Sequence, residues 1–186
     1  MIPGATVTLT SSDPAALADI PKVRDEPELA RLLQVLNAQD GFFRIVGCER
    51  WYNDNDEATG ESQFGSHVGF MLDAWPSCDA RASQWIAEHF RDYGDKLEWT
   101  ESMKMMFELV PTILYSDDMS GWSLDFWAWG FGSSRQEAPN AWAVIIERFR
   151  TFILEDNARW RDFLAKHPVW PPKLDADNDC PIPEAP

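Results

Sequence analysis

The segment Trp122–Phe131, WSLDFWAWGF, decides the fold of this chain. Aromatic residues crowd it, and the turn-forming residues DDMSG precede it at positions 117–121, which predicts a β-strand that follows a turn. Successive side chains of a strand point to opposite faces of its sheet. We expect the face that carries Trp127, Trp129 and Phe131 to pack into the hydrophobic core.

Further strands are predicted on both sides of this segment. Residues 42–51, 67–75 and 105–115 are rich in aromatic and β-branched residues between turn formers, and residues 6–10 add a short strand. Pro111 lies inside the third of these segments, so it requires an edge, a bulge or the end of a strand. The polar residues 53–65 predict an exposed loop.

Three helices are predicted from apolar residues that recur with the helical period. The apolar positions are Leu29, Leu32, Leu33 and Leu36; Ala82, Trp85, Ile86, His89, Phe90 and Tyr93; and Trp142, Ile145, Ile146, Phe149, Phe152 and Ile153. The third helix is predicted to begin around Pro139 and Asn140 and to continue to Lys166. Helices and strands are mixed without strict alternation, so we expect an α+β fold: a mostly antiparallel sheet of about four or five strands packed with about three amphipathic helices. One domain is predicted over residues 1–167, followed by a proline-rich acidic tail over residues 168–186.

The charge of the chain excludes several classes of protein. Among 186 residues there are 31 Asp and Glu against 16 Lys and Arg, a formal net charge of −15. Such a chain does not bind nucleic acid by neutralising phosphates, nor does it bind anionic membranes. No apolar run is long enough to span a membrane, and the three cysteines are odd in number and widely spaced, unlike a disulfide framework. We expect a cytoplasmic protein with reduced thiols.

The sequence indicates a catalytic site less clearly than its charge indicates a class of partner. Cys48 and His67, on neighbouring strands, could form a nucleophilic catalytic pair. A cysteine in such a position is more often a buried, unreactive thiol. Glu108 and Asp125 could form the carboxylate pair of a glycoside hydrolase, with tryptophans stacking on sugar rings; solvent-facing carboxylates of a half-buried sheet explain them equally. Residues 175–179, DADND, begin like a calcium loop but Cys180 replaces the required glycine. We therefore expect no catalytic site, metal site or cofactor.

The size of the negative charge predicts a basic partner. A net charge of about 2–8 in magnitude is enough to keep a small domain soluble, and a larger excess favours electrostatic capture of a basic protein. Exposed aromatic residues beside the acids would serve as anchors. The predicted partner-binding residues are Trp51, Tyr52, Asp54, Asp56, Glu57, Glu61, Asp117, Asp118 and Trp122.

The run Ser120–Trp129, SGWSLDFWAW, resembles the aromatic core segment of the immunity protein 52 group, bacterial inhibitors of type VI and polymorphic toxins. The resemblance implies an α+β inhibitor that binds one toxin molecule with a restriction-endonuclease-like nuclease domain and covers its active site or substrate groove. It assigns no individual residue a role. Two alternatives stay open: an Asp/Glu-dependent carbohydrate-active hydrolase, and a DNA-mimicking inhibitor of a host nuclease. Either a monomer or a dimer is compatible with the sequence.

Overall fold

Seven helices and strands follow one another along the part of the chain that the computed structural model describes, which is residues 23, 25–38, 41–54, 60–72, 80–114 and 119–166. They are α1 (Pro27–Leu36), β1 (Phe43–Asn53), β2 (Ser62–Leu72), α2 (Ala80–Asp95), β3 (Met103–Leu114), β4 (Met119–Gly132) and α3 (Glu137–Lys166). The predicted strand at 6–10 and the predicted tail at 168–186 lie outside the described residues.

The four strands form one antiparallel sheet in the order β1-β2-β4-β3. β1 and β2 form one hairpin and β3 and β4 another, and β2 pairs with β4 to join the two in the centre of the sheet. Three helices accompany this sheet, so the predicted α+β class is confirmed. None of the helices within the described residues is both long and apolar enough to span a membrane.

The edge position of β3 explains how a strand accommodates Pro111. Pro111 pairs with Trp122 of β4 and is exposed, and a proline lacks the N–H that a second neighbouring strand would need. Of the three positions predicted for Pro111, an edge, a bulge or the end of a strand, the structure shows the edge.

The predicted loop at residues 53–65 is shorter than expected. β2 already begins at Ser62, and Gln63 pairs with Asn53 on one side and with Phe131 on the other. Because β2 is an inner strand, its backbone is paired on both sides, and this pairing outweighs the polar composition of its first residues.

Most of the apolar positions predicted for the helices form the core where their side chains are described. His89 of α2 is only partly buried, with its Nε2 2.9 Å from Asp156 Oδ1. The four leucines of α1 are fully buried, as are Trp142, Ile145, Ile146, Phe149 and Ile153 of α3. Helix α3 begins at Glu137, slightly earlier than the predicted start around Pro139 and Asn140, because the Ser134 hydroxyl accepts a hydrogen bond of 3.3 Å from the Glu137 N–H. Pro139 then lies in the first turn, where a proline is tolerated.

The helices pack on one face of the sheet, which we call the helix face. On β4 this face is formed by Leu124, Phe126, Ala128 and Gly130, all buried. The Phe126 ring lies 4.2 Å from that of Phe149 in α3, and the Phe64 ring of β2 lies 4.8 Å from that of Trp142. The intervening β4 residues point to the opposite side, which we call the open face.

The predicted orientation of β4 is wrong: Trp127, Trp129 and Phe131 lie on the open face and are only partly buried. The reason is the close approach of α3. A Cβ atom at Gly130 would collide with the backbone of Ala138 and Trp142, so the helix packs against the side of β4 that carries its small residues. The bulky indoles are left on the other side.

Candidate functional site

The predicted anchors Trp51 and Tyr52 are consecutive on β1 and therefore point to opposite faces. Tyr52 lies on the helix face, with its ring 6.0 Å from that of Phe64 and its hydroxyl donating to Asp54 Oδ1 at 2.9 Å. The guanidinium of Arg135 lies 5.4 Å from the centre of the Tyr52 ring. Trp51 lies on the open face, so the two anchors contact different surroundings.

Two of the four predicted acidic residues in this part of the chain are described, and they lie where β1 ends and β2 begins. Asp54 and Glu61 are both exposed there. Asp56 and Glu57, between them in the chain, lie outside the described residues, as do Asp117 and Asp118. One end of the sheet thus carries Trp51, Tyr52, Asp54 and Glu61, and we call it the acidic hairpin end.

Trp122 lies far from this group. It is on the helix face of β4 and lines a small cavity with Leu109 and Leu124. The acidic hairpin end is at the other end of β4, where Gln63 pairs with Phe131. At about 3.3 Å per residue, the two positions are about 30 Å apart along the strand. Those predicted residues that the structure describes therefore belong to two separate regions.

The open face carries a cluster of indoles, of which Trp127 and Trp129 were predicted to lie in the core and Trp51 was predicted to be an anchor. Register places Trp127 directly opposite His67, and Trp129 directly opposite Gly65, whose other neighbour is Trp51. The Trp127 and Trp129 rings are stacked with centres 5.9 Å apart and an interplanar angle of 7°. The His67 ring lies 4.3 Å from Trp127, and Trp51 lies 6.0 Å from Trp127 and 6.5 Å from Trp129. We call Trp51, His67, Trp127 and Trp129 the indole cluster.

Gly65 makes room for this cluster. A Cβ atom at Gly65 would lie 2.5 Å from Cε2 and Cζ2 of Trp51, well inside van der Waals contact. Because Gly65 has no side chain, the Trp51 indole lies across β2 and reaches the two tryptophans of β4. The glycine therefore connects β1 to the aromatic residues of β4.

A polar network borders the indole cluster. His67 Nε2 lies 2.8 Å from Asp125 Oδ2, although the oxygen is out of line for a hydrogen bond from the ring N–H. The Ser123 hydroxyl donates to Asp125 Oδ1 at 3.2 Å, and the Thr112 hydroxyl oxygen lies 2.7 Å from that of Ser123. The buried indole N–H of Trp127 has no hydrogen-bond partner among the described residues.

Charged side chains lie around the same cluster at both edges of the sheet. Glu49 of β1 is directly opposite His67, and exposed Glu108 of β3 is directly opposite Asp125. Lys104 of β3 places its ammonium group 5.5 Å from the centre of the Trp129 ring, a cation–π contact. Arg44 lies farther along β1, paired with Met71.

The register separates the residues of one catalytic pair considered above and brings those of the other pair together. Cys48 pairs with Val68 on the helix face, whereas His67 is on the open face, so the Cys48–His67 pair does not form. Glu108 and Asp125 are direct cross-strand neighbours on the open face, next to the indole cluster. Within the described ranges, no three His, Cys, Asp or Glu side chains are grouped as metal ligands. The potential calcium loop at 175–179 lies outside those ranges.

Comparisons of the chain with protein-family models, with curated proteins and with solved structures gave no match. The chemistry of the open face is therefore argued from its own residues. Stacked aromatic rings, one of them already in contact with a cation, lie beside carboxylates at a partly exposed sheet surface. Such a surface is suited to contact with a basic ligand.

Proposed function

We propose that the protein is a cytoplasmic immunity protein that binds a cognate basic toxin one-to-one and neutralises it, the toxin being a nuclease effector. The observation that carries this proposal is the net charge of −15, far beyond what a small domain needs for solubility. The resemblance of residues 120–129 to the immunity protein 52 group suggests the same class of partner.

Acidic residues outnumber Lys and Arg by 31 to 16, and many of the basic side chains are engaged within the protein. Among the described residues, several arginines form ion pairs with acidic residues, and other basic side chains contact a backbone carbonyl or an aromatic ring. These basic residues are Arg31, Arg50, Arg150 and Arg159 in ion pairs, Arg148 on a carbonyl, and Lys104 and Arg135 on rings. An approaching protein therefore meets a surface dominated by carboxylates.

A nuclease is a suitable partner for such a surface. A nuclease presents basic side chains to the phosphates of its substrate, and an acidic inhibitor offers carboxylates at the corresponding positions. Electrostatic attraction of this kind raises association rates by about 10- to 1,000-fold and weakens steeply with added salt. The inhibitor would thus capture a newly made toxin before the toxin reaches nucleic acid.

The first experiment is a pull-down with the tagged protein from its native cell at low and at moderate salt, with mass spectrometry of the eluate. We expect one basic, nuclease-like protein at one-to-one stoichiometry. If that protein is encoded as a toxin, the immunity function is supported; if it is a host nuclease, the DNA-mimic alternative is correct. An empty eluate at both salt concentrations contradicts the proposal.

The hairpin end provides a second test once the partner is available. Neutralising Asp54, Asp56, Glu57 and Glu61 together to the matching amides should slow association and flatten its salt dependence without altering the fold. The control variant neutralises four exposed acids of the α2 region, which changes the net charge equally: Glu88, Asp92, Asp95 and Glu98. An on-rate that falls equally in both variants would rule out a special role for the hairpin end.

One observation favours a carbohydrate-active hydrolase as the second candidate. Glu108 and Asp125 are directly opposite each other on adjacent strands, on the face that carries three tryptophans. Paired carboxylates beside indoles are the groups that glycoside hydrolysis uses. Trp fluorescence that responds to oligosaccharides, but not to a basic protein, would favour this candidate over the inhibitor.

A further inference from the structure

The contact between Lys104 and Trp129 indicates where a cation binds on the open face. Lys104 is exposed, lies on the edge strand β3, and holds its ammonium group over the indole. We propose that the open face is the docking surface for the basic partner, and that a partner arginine packs on Trp129 in the place that Lys104 occupies in the free protein. This inference rests on the proposed function and adds the location and the anchor of the contact.

The aromatic residues favour a guanidinium over a sugar ring as the group that binds. One face of Trp127 is covered by His67, and Trp129 stacks on Trp127 nearly parallel. Flat stacking of a sugar on Trp127 is therefore obstructed, whereas Trp129 already accepts a cation. Arginine is the cation most often found over aromatic rings, and its planar group also pairs with carboxylates.

Exposed apolar surface next to the cation position extends the contact area. Met106 is directly opposite Trp127, and its exposed fraction of 43% is among the highest of the large hydrophobic side chains described. Glu108 lies two residues farther along the same edge and has no ion-pair partner among the described residues. An apolar centre with a charged rim is the usual anatomy of a protein interface.

The charge decides which partner fits this surface. A second copy of the chain would also carry −15 and would bring carboxylates against carboxylates. An acidic protein or a nucleic acid is disfavoured for the same reason. A basic protein has the complementary charge, and its arginines supply the group that Trp129 accepts.

The experiment uses an oligoarginine peptide as the probe, titrated by calorimetry at low salt into two matched pairs of variants. In the first pair, Lys104→Ala and Lys96→Ala remove the same charge from exposed lysines, but only Lys104 contacts the indole. We expect Lys104→Ala to bind the probe at least about threefold more tightly than Lys96→Ala, because the ring is freed of its internal cation.

In the second pair, Met106→Lys and Leu154→Lys add the same charge at side chains of 43% and 44% exposure, on β3 and on α3 respectively. We expect Met106→Lys to weaken binding about tenfold, whereas Leu154→Lys changes it less than about twofold. Urea unfolding of all four variants verifies that each is folded. Trp129→Leu should weaken binding about fivefold, the equivalent of about 1 kcal/mol for a cation–π contact.

Equal effects within either pair overturn this inference, as does a wild-type protein that fails to bind the probe. Its failure is distinguishable from failure of the proposed function. If a basic toxin is captured and the hairpin-end variant slows its association while the matched pairs behave alike, the partner binds elsewhere and only the docking surface is wrong. If the native cell yields no basic partner, the proposed function itself fails.

Discussion

Replacing Gly65 with alanine tests whether the indole cluster is assembled as described. The new Cβ would lie 2.5 Å from two ring atoms of Trp51. The indole is the end of a movable side chain, so we expect Trp51 to rotate away from the cluster and β2 to keep its place. The substitution therefore removes one ring from the open face and leaves the sheet paired.

The expected cost follows from the contacts that Trp51 loses. It contacts the rings of Trp127 and Trp129 at 6.0 and 6.5 Å, and each such aromatic pair contributes about 0.5–1.5 kcal/mol. Alanine regains about 0.5–1 kcal/mol over glycine in the interior of a strand. We expect Gly65→Ala to lower the free energy of unfolding by about 1 kcal/mol, and by no more than about 2.5 kcal/mol.

Urea unfolding of a double-mutant cycle with Trp51→Ala measures this coupling. In the Trp51→Ala background the clash is gone, so Gly65→Ala should stabilise the protein instead of destabilising it. Gly47→Ala is the control, because no atom lies within 4 Å of its added Cβ and we expect no loss of stability. If Gly65→Ala has the same effect in both backgrounds, Trp51 does not lie over Gly65 and the described cluster is wrong.

Two further predictions concern the fold. Gly130→Ala should lower the free energy of unfolding by more than about 3 kcal/mol in urea titrations, because its Cβ meets the rigid backbone of α3; a loss below about 1 kcal/mol would contradict the close packing of α3 on β4. Burial raises the pKa of Glu26 above its ordinary 4.5, only partly offset by Arg50, so its stabilising contribution is complete below 4.5 and is lost as the pH rises through the raised pKa. Glu26→Gln should therefore gain stability relative to wild type in urea titrations as the pH is raised above 4.5, and a relative loss would mean that the attraction of Arg50 outweighs burial.

Much of the fold could be predicted from periodicity. The leucines of α1 and the apolar residues predicted for the buried face of α3 repeat every three or four positions and face the core, because a helix has one face to bury. The first and last residues of the strands were harder to predict. Ser62 to Gly65 were predicted as part of a loop, and only the pairing of β2 with its neighbouring strands makes them a strand.

The site could not be predicted for a related reason. A strand with aromatic residues at both odd and even positions does not reveal which face is buried, and the larger side chains suggested the wrong one. The signal was present in the small residues Ala128 and Gly130, which alternate with Trp127 and Trp129. A helix can pack closely only against small residues, so the side with alanine and glycine takes α3 and the indoles are left outside.

On the proposed function, the same strand serves both stability and recognition. On its helix face, β4 contributes Phe126 to the ring contacts with α3, which fix the backbone of the strand. On its open face, that fixed backbone holds Trp127 and Trp129 parallel without any help from a loop. A binding surface on an inner strand loses little conformational entropy on contact, because its side chains are already ordered. For a protein proposed to capture a toxin tightly, the indole cluster is thus a better anchor than the acidic hairpin end. The carboxylates of the hairpin end contribute long-range electrostatic attraction.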